Sequence, residues 1–103
     1  MPEPYIVQPK KVFFFEATNK ATGSVRVWKI TAATFRGGML MLLKSEPLGV
    51  PRRSWEHDGK IEWAVRNSSI RIFARLWEPT DEKPGYKEIW DGHNLSNRRN
   101  LGI

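Results

Sequence analysis

Ile61-Glu62-Trp63-Ala64-Val65-Arg66-Asn67-Ser68-Ser69-Ile70-Arg71-Ile72-Phe73-Ala74-Arg75-Leu76-Trp77 is the stretch on which the fold turns. Ile70, Ile72, Ala74 and Leu76 alternate with Arg71, Phe73, Arg75 and Trp77. A two-residue period of that kind predicts a strand with one apolar face and one basic-aromatic face. Just before it, Ile61, Trp63 and Val65 alternate with Glu62, Ala64 and Arg66. The two apolar faces coincide only if Val65 lies opposite Ile70 and Trp63 opposite Ile72, because a slip of one residue would turn one strand's core set toward solvent. That register leaves Asn67-Ser68 as a two-residue loop, and Asn tolerates the positive φ of a primed hairpin turn. Asp58-Gly59 is the stronger hairpin signal. With it as a loop, Trp55 faces Glu62 and Arg53 faces Ala64, so a three-stranded meander presents Arg53, Trp55, Glu62, Arg71, Phe73, Arg75 and Trp77 on one face.

Outward from this meander, turn signals recur at Asn19 to Gly23, Arg36-Gly37-Gly38, Glu46 to Pro51, Thr80 to Gly85 and Asp91-Gly92. The segments between them are short and rich in Val, Ile, Phe and Trp. They predict strands over 10–17, 24–31, 39–44, 53–57, 60–66, 69–77 and 86–90. Met39 to Leu43 is a continuous apolar run in which periodicity does not separate a doubly buried strand from a short buried helix; it is read as a strand, with Gly37-Gly38 before it and Pro47 after it leaving little room for a helix longer than two turns. The expected fold class is all-β: a single small antiparallel barrel or sandwich of about five to seven short strands, with an irregular or short-helical C-terminal tail. Residues 1–92 are read as one β domain and 93–103 as a basic tail carrying Arg98 and Arg99.

Composition narrows the chemistry. The 103 residues include 17 Lys and Arg against 11 Asp and Glu, a formal charge of +6, and no cysteine. Disulfides, thiolate metal sites, iron–sulfur clusters and a Cys nucleophile are thereby excluded. No apolar run approaches the roughly 20 residues of a membrane span, and Met1-Pro2-Glu3-Pro4 opens no signal core, so a cytoplasmic protein is expected. Twelve residues are aromatic, five of them Trp, which argues for a folded chain. The basic excess lies mainly before residue 46 and again in the last eleven residues, around a nearly neutral middle, a distribution suited to a polyanionic partner.

Alternating Arg and aromatic side chains on a strand supply rings that stack on bases and cations that follow phosphates, at intervals of about 7 Å. Arg26 and Trp28 repeat the pattern on an earlier strand, as Lys11, Phe13 and Phe15 do less cleanly. The expected function is therefore non-enzymatic binding of single-stranded DNA or RNA with little sequence preference. Arg26, Arg53, Arg71 and Arg75 would contact phosphates, Trp28, Trp55, Phe73 and Trp77 would stack, and Arg98 and Arg99 would add attraction from the tail. The competing packing reading makes the same face a second core, with Phe73 and Trp77 buried and the arginines snorkelling at its rim. The alternative function is a small protein-interaction or inhibitory accessory factor that docks on a larger protein through the same surface, since Trp, Tyr and Arg dominate interface hot spots. Open edge strands would also allow pairing into a homodimer. The histidines, in Glu56-His57-Asp58 and Asp91-Gly92-His93-Asn94, raise a metal site, but Asp before Gly is a routine turn former. No metal, cofactor or membrane partner is expected, and no nucleophile or phosphate-binding motif is present to suggest an enzyme.

Overall fold

The Phe-rich segment after Lys10 and the Val-rich segment after Ser24 form the first two strands, β1 (Lys11–Asn19) and β2 (Val25–Ala32), in a computed structural model that describes residues 9–90. Asn19 shapes the turn between them: its side-chain carbonyl accepts from the backbone N–H groups of Ala21 and Thr22, and its own carbonyl accepts from Gly23 at 2.7 Å. A helix, α1 (Phe35–Ser45), follows, and then β3 (Pro51–His57), β4 (Lys60–Val65), β5 (Ile70–Leu76) and β6 (Lys87–Trp90). A short 3-10 turn, Pro79–Asp81, lies between β5 and β6.

The six strands make one mixed sheet in the order β3-β4-β5-β1-β2-β6. All pairings are antiparallel except β2 with β6. The expected all-β architecture of short strands is thus what the chain adopts, with α1 rather than a second sheet as the layer that covers it. The meander follows the sequence reading: Trp63 lies opposite Ile72, Trp55 opposite Glu62 and Arg53 opposite Ala64. Asp58 and Gly59 both take positive φ, 51° and 73°, as a two-residue primed hairpin requires. Asn67 does the same at 52°, with the Ser68 hydroxyl accepting from the Ile70 N–H.

The strand expected over 39–44 is instead the heart of α1. Its N-cap is Thr34, whose hydroxyl accepts from the Gly37 N–H at 3.0 Å, and its last turn closes with the Glu46 N–H donating to the Leu42 carbonyl. Gly37-Gly38 lies inside the helix rather than breaking it. A Cβ on Gly38 would stand 2.9 Å from the Phe15 ring, so glycine here is what lets the helix settle on the central strand. That packing returns more than the roughly 1 kcal/mol that a helical glycine costs.

Under α1 lies the core: Phe13, Phe15 and Ala17 from β1, Trp28, Ile30 and Ala32 from β2, Trp63 and Val65 from β4, Ile72 and Ala74 from β5, and Ile89 from β6. Met39 and Leu42 meet them from the helix. Phe15, 0 % exposed, stacks on Trp63 with ring centroids 6.0 Å apart. Among the described residues no helix lies on the other face of the sheet. It is this uncovered side, populated by the alternate residues of every strand, that holds the candidate site.

Candidate nucleic-acid interface

Register alone sets two rows of side chains on the uncovered face. Arg53, Ala64, Arg71 and Thr18 follow one another across β3, β4, β5 and β1. One step along the strands, Trp55, Glu62, Phe73 and Glu16 do the same. A cationic row therefore runs beside a row in which rings alternate with carboxylates, about 7 Å away. Trp55 and Phe73 stand two strands apart, roughly 10 Å, so each ring would hold its own base.

This part of the face is lightly committed. Trp55 is 41 % exposed, and the Arg71 guanidinium lies 5.4 Å from its ring centroid. Arg71 also stands 3.9 Å from the Glu62 carboxylate, beyond hydrogen-bonding range. An exposed cation–π contact and an exposed ion pair of this kind contribute at most about 1 kcal/mol each, so an incoming phosphate could displace them. Phe73 is half-buried between two hollows. One, of about 220 Å³, is lined by Glu16, Thr18, Lys20, Glu62 and Arg71; the smaller, of about 50 Å³, by Trp55, His57, Lys60 and Glu62. Lys20 and Lys60 thus join the site, and both could have been found: Lys60 from the alternation of β4, Lys20 from its place in the turn that follows β1.

Arg75 and Trp77 share the face but are tied down. The Arg75 guanidinium makes a two-pronged pair with Asp81 at 2.7 and 2.8 Å, donates to the Leu76 carbonyl and lies 4.2 Å from the centroid of the Phe14 ring. Asp81 also accepts from the Glu78 N–H at 2.7 Å. The Arg75 hydrogen bonds hold the Asp81 carboxyl below its ordinary range, against the opposing pull of burial, and raise the guanidinium in turn. Trp77 donates its indole N–H to Glu82 at 3.2 Å, meets Tyr86 edge-on, and carries the Lys29 ammonium 5.0 Å from its ring centroid. Lys29 closes the set by pairing with Glu82 at 2.9 Å. The segment after β5 therefore bends back and seats these two side chains, a closure that alternation in the strand does not announce.

Arg26 and Trp28 are not on this face. Trp28 is 1 % exposed in the core under α1, so it cannot stack on a base, and Phe13 and Phe15 are buried beside it. Arg26 donates to Glu46 at 2.8 Å, and Glu46 also receives the Lys87 ammonium at 2.9 Å and the Trp28 indole N–H at 3.4 Å. These donors, Lys87 foremost, hold the Glu46 carboxyl below its ordinary range although burial opposes them. The parity shared by Trp28, Ile30 and Ala32 was the available signal for their buried side. Arg98, Arg99, Asp91 and His93 lie outside the described residues. His57 and Asp58 are adjacent and exposed, their side chains 3.6 Å apart, and no group of three or more His, Asp or Glu forms a metal-binding cluster among the described residues. No helix among them is long and apolar enough to cross a membrane. Comparison with known proteins finds no family model, no curated protein and no solved structure that matches this chain, so what can be said of its function rests on its own geometry.

Proposed function

We propose that the chain is a non-enzymatic protein that binds single-stranded DNA or RNA on the uncovered face of its sheet. The observation that carries this reading is the row of Arg53 and Arg71 beside the row of Trp55 and Phe73, on a face over which no helix of the described residues lies. In this reading Arg53 and Arg71 contact phosphates, with Lys20 and Lys60 at the flanks, while Trp55 and Phe73 stack on bases at roughly 1–3 kcal/mol each. Arg75 and Trp77 shape the floor rather than touch the ligand, because their polar groups are already spent on Asp81 and Glu82. Glu16 and Glu62 suit the exocyclic amino groups of bases.

The test is a titration with a short oligonucleotide at two salt concentrations, read by Trp fluorescence in the protein and in its Trp55→Phe variant. Quenching that is lost in the variant, together with affinity that falls steeply with salt, supports the proposal. Absence of binding at low salt overturns it. The second reading, a protein partner on the same face, draws on Glu16 and Glu62, since carboxylates beside a phenyl ring weaken a phosphate site. A defined protein partner retained after nuclease and high salt, and lost with Trp55→Ala, would favour it.

A further inference from the structure

An α-helix is about 10 Å wide, and six strands span roughly 24 Å, so α1 cannot cover its side of the sheet alone. It packs over β2 and β6, which leaves a groove between α1 and the edge strand β3. The groove encloses about 450 Å³. Its apolar lining comes from Leu40, Leu43, Ile61 and Trp63, with Leu40 54 % exposed. Arg36 and Arg52 also line it, with Arg53 at its border and on the opposite face by register, and among the described residues none of the three has an ion-pair partner.

Beside the groove runs a main chain with unused hydrogen-bonding groups. Among the described residues β3 pairs only with β4 and is the sheet's edge. In the hairpin closed by His57 and Lys60, the residues that exchange hydrogen bonds with β4 are His57, Trp55 and Arg53, so the N–H and C=O groups of Ser54 and Glu56 point outward. Arg52 is the extra residue of an irregularity between Pro51 and Arg53, with no opposite number on β4. The open edge, the apolar hollow and the unpaired arginines thus occur together.

We infer that this groove receives an extended acidic segment of a partner protein, which adds to β3 as a seventh strand. Main-chain bonds to Ser54 and Glu56 would hold it; along one half its groove-facing side chains would drop against Leu40, Leu43 and Ile61, and along the other half its groove-facing carboxylates would meet Arg36 and Arg52. Glu56 sits on the groove side of β3, opposite Ile61, so the acids belong at the arginine end of the segment.

The probe is an amidated eight-residue peptide with four Glu at one end and four Val at the other, made in both orders and titrated into ¹⁵N-labelled protein at low ionic strength, with the Lys/Val analogue as comparison. Shifts and slowed exchange at the Ser54 and Glu56 amides, with the Lys/Val peptide weaker by on the order of tenfold or more, support the inference. Ser54→Pro removes an outward N–H without removing a bond to β4, so it should abolish peptide binding while the hairpin amides keep their positions. Arg36→Gln with Arg52→Gln should weaken binding by about tenfold with no reliance on a proline. No binding of the acidic peptide, equal binding of the two peptides, or full binding by Ser54→Pro overturns the inference. Occupation of the groove by dodecanoate but not by peptide, or dimerisation of the free protein through β3, overturns it in favour of a small amphiphile or a second copy. Phe73→Ala with Arg71→Gln should leave peptide binding unchanged, so this result and that of the oligonucleotide titration stand or fall separately.

Discussion

Arg26-Val27-Trp28 on β2 and Arg75-Leu76-Trp77 at the end of β5 are the same three-residue pattern on opposite faces of one sheet. Both arginines pair with a carboxylate, and both indole N–H groups find one. Around Trp28 a single residue, Glu46 at the end of α1, accepts from the Arg, the Trp and Lys87. Around Trp77 the task is divided between Asp81 and Glu82 of the segment after β5. The difference lies in what covers the ring. A helix seals Trp28 into the core, whereas a loop holds Trp77 half-buried at the border of an open surface. A motif of Arg and aromatic residues therefore acquires its meaning from the element that closes over it, and the pair Arg71 and Trp55, over which none of the described residues closes, is the version we propose for a ligand.

The comparison can be broken by mutation. Trp28→Ala should cost about 3–5 kcal/mol in urea unfolding, because it empties a fully buried site, and Trp77→Ala only about 1–2. Equal losses would mean that the loop seals as well as the helix does. Glu46→Gln comes next, at about 2 kcal/mol, since it weakens three hydrogen bonds to one buried carboxylate; Asp81→Asn should cost about as much, because Asp81 also accepts three and its partner Arg75 is less open to solvent than Arg26 or Lys87. Both values are differences in unfolding free energy at neutral pH.

Acid sharpens the same contrast. Glu46 and Asp81 are held below their ordinary ranges in the folded chain, so the folded state resists protonation that the unfolded state accepts. Their contribution is complete above the unfolded values of about 4 and is lost as the pH falls through the lower folded values. Denaturation followed from pH 7 downward should show stability declining from about pH 5, with a shallower decline in each variant. The smallest effect concerns binding alone. Arg71→Gln should reduce oligonucleotide affinity and lower the salt slope by about one, while Arg26→Gln on the covered face should change neither.

The meander was legible because β4 and β5 each have one apolar side and the turn that joins β3 to β4 has the strongest hairpin chemistry available. Ile70, Ile72 and Ala74 face the core, and from that the placement of Arg71 and Phe73 follows, whereas Leu76, expected on the same side, ends the strand 52 % exposed. β2 offers no such asymmetry at its start, where Val25 and Val27 compete with Arg26 and Trp28; the choice is made by Phe15 and α1, which belong to distant parts of the chain. α1 itself was hidden because five apolar residues in a row suit a buried strand as well as a helix, and because Gly38 reads as a breaker until the Phe15 ring beneath it is seen. The capture of Arg75 and Trp77 depends on a turn five to six residues further on folding backward, which no periodicity records.

Parallel pairing of β6 with β2 has a consequence for the order in which the molecule comes apart. β6 is four residues long, lies at the sheet's edge, and joins a strand that ended more than fifty residues earlier, so it contributes few bonds and closes the longest loop in the fold. Hydrogen exchange should therefore find its amides in the least protected cooperative unit. When it lifts, Lys87 leaves Glu46 and Ile89 leaves the core, and the seal over Trp28 loosens from the side that the helix does not guard.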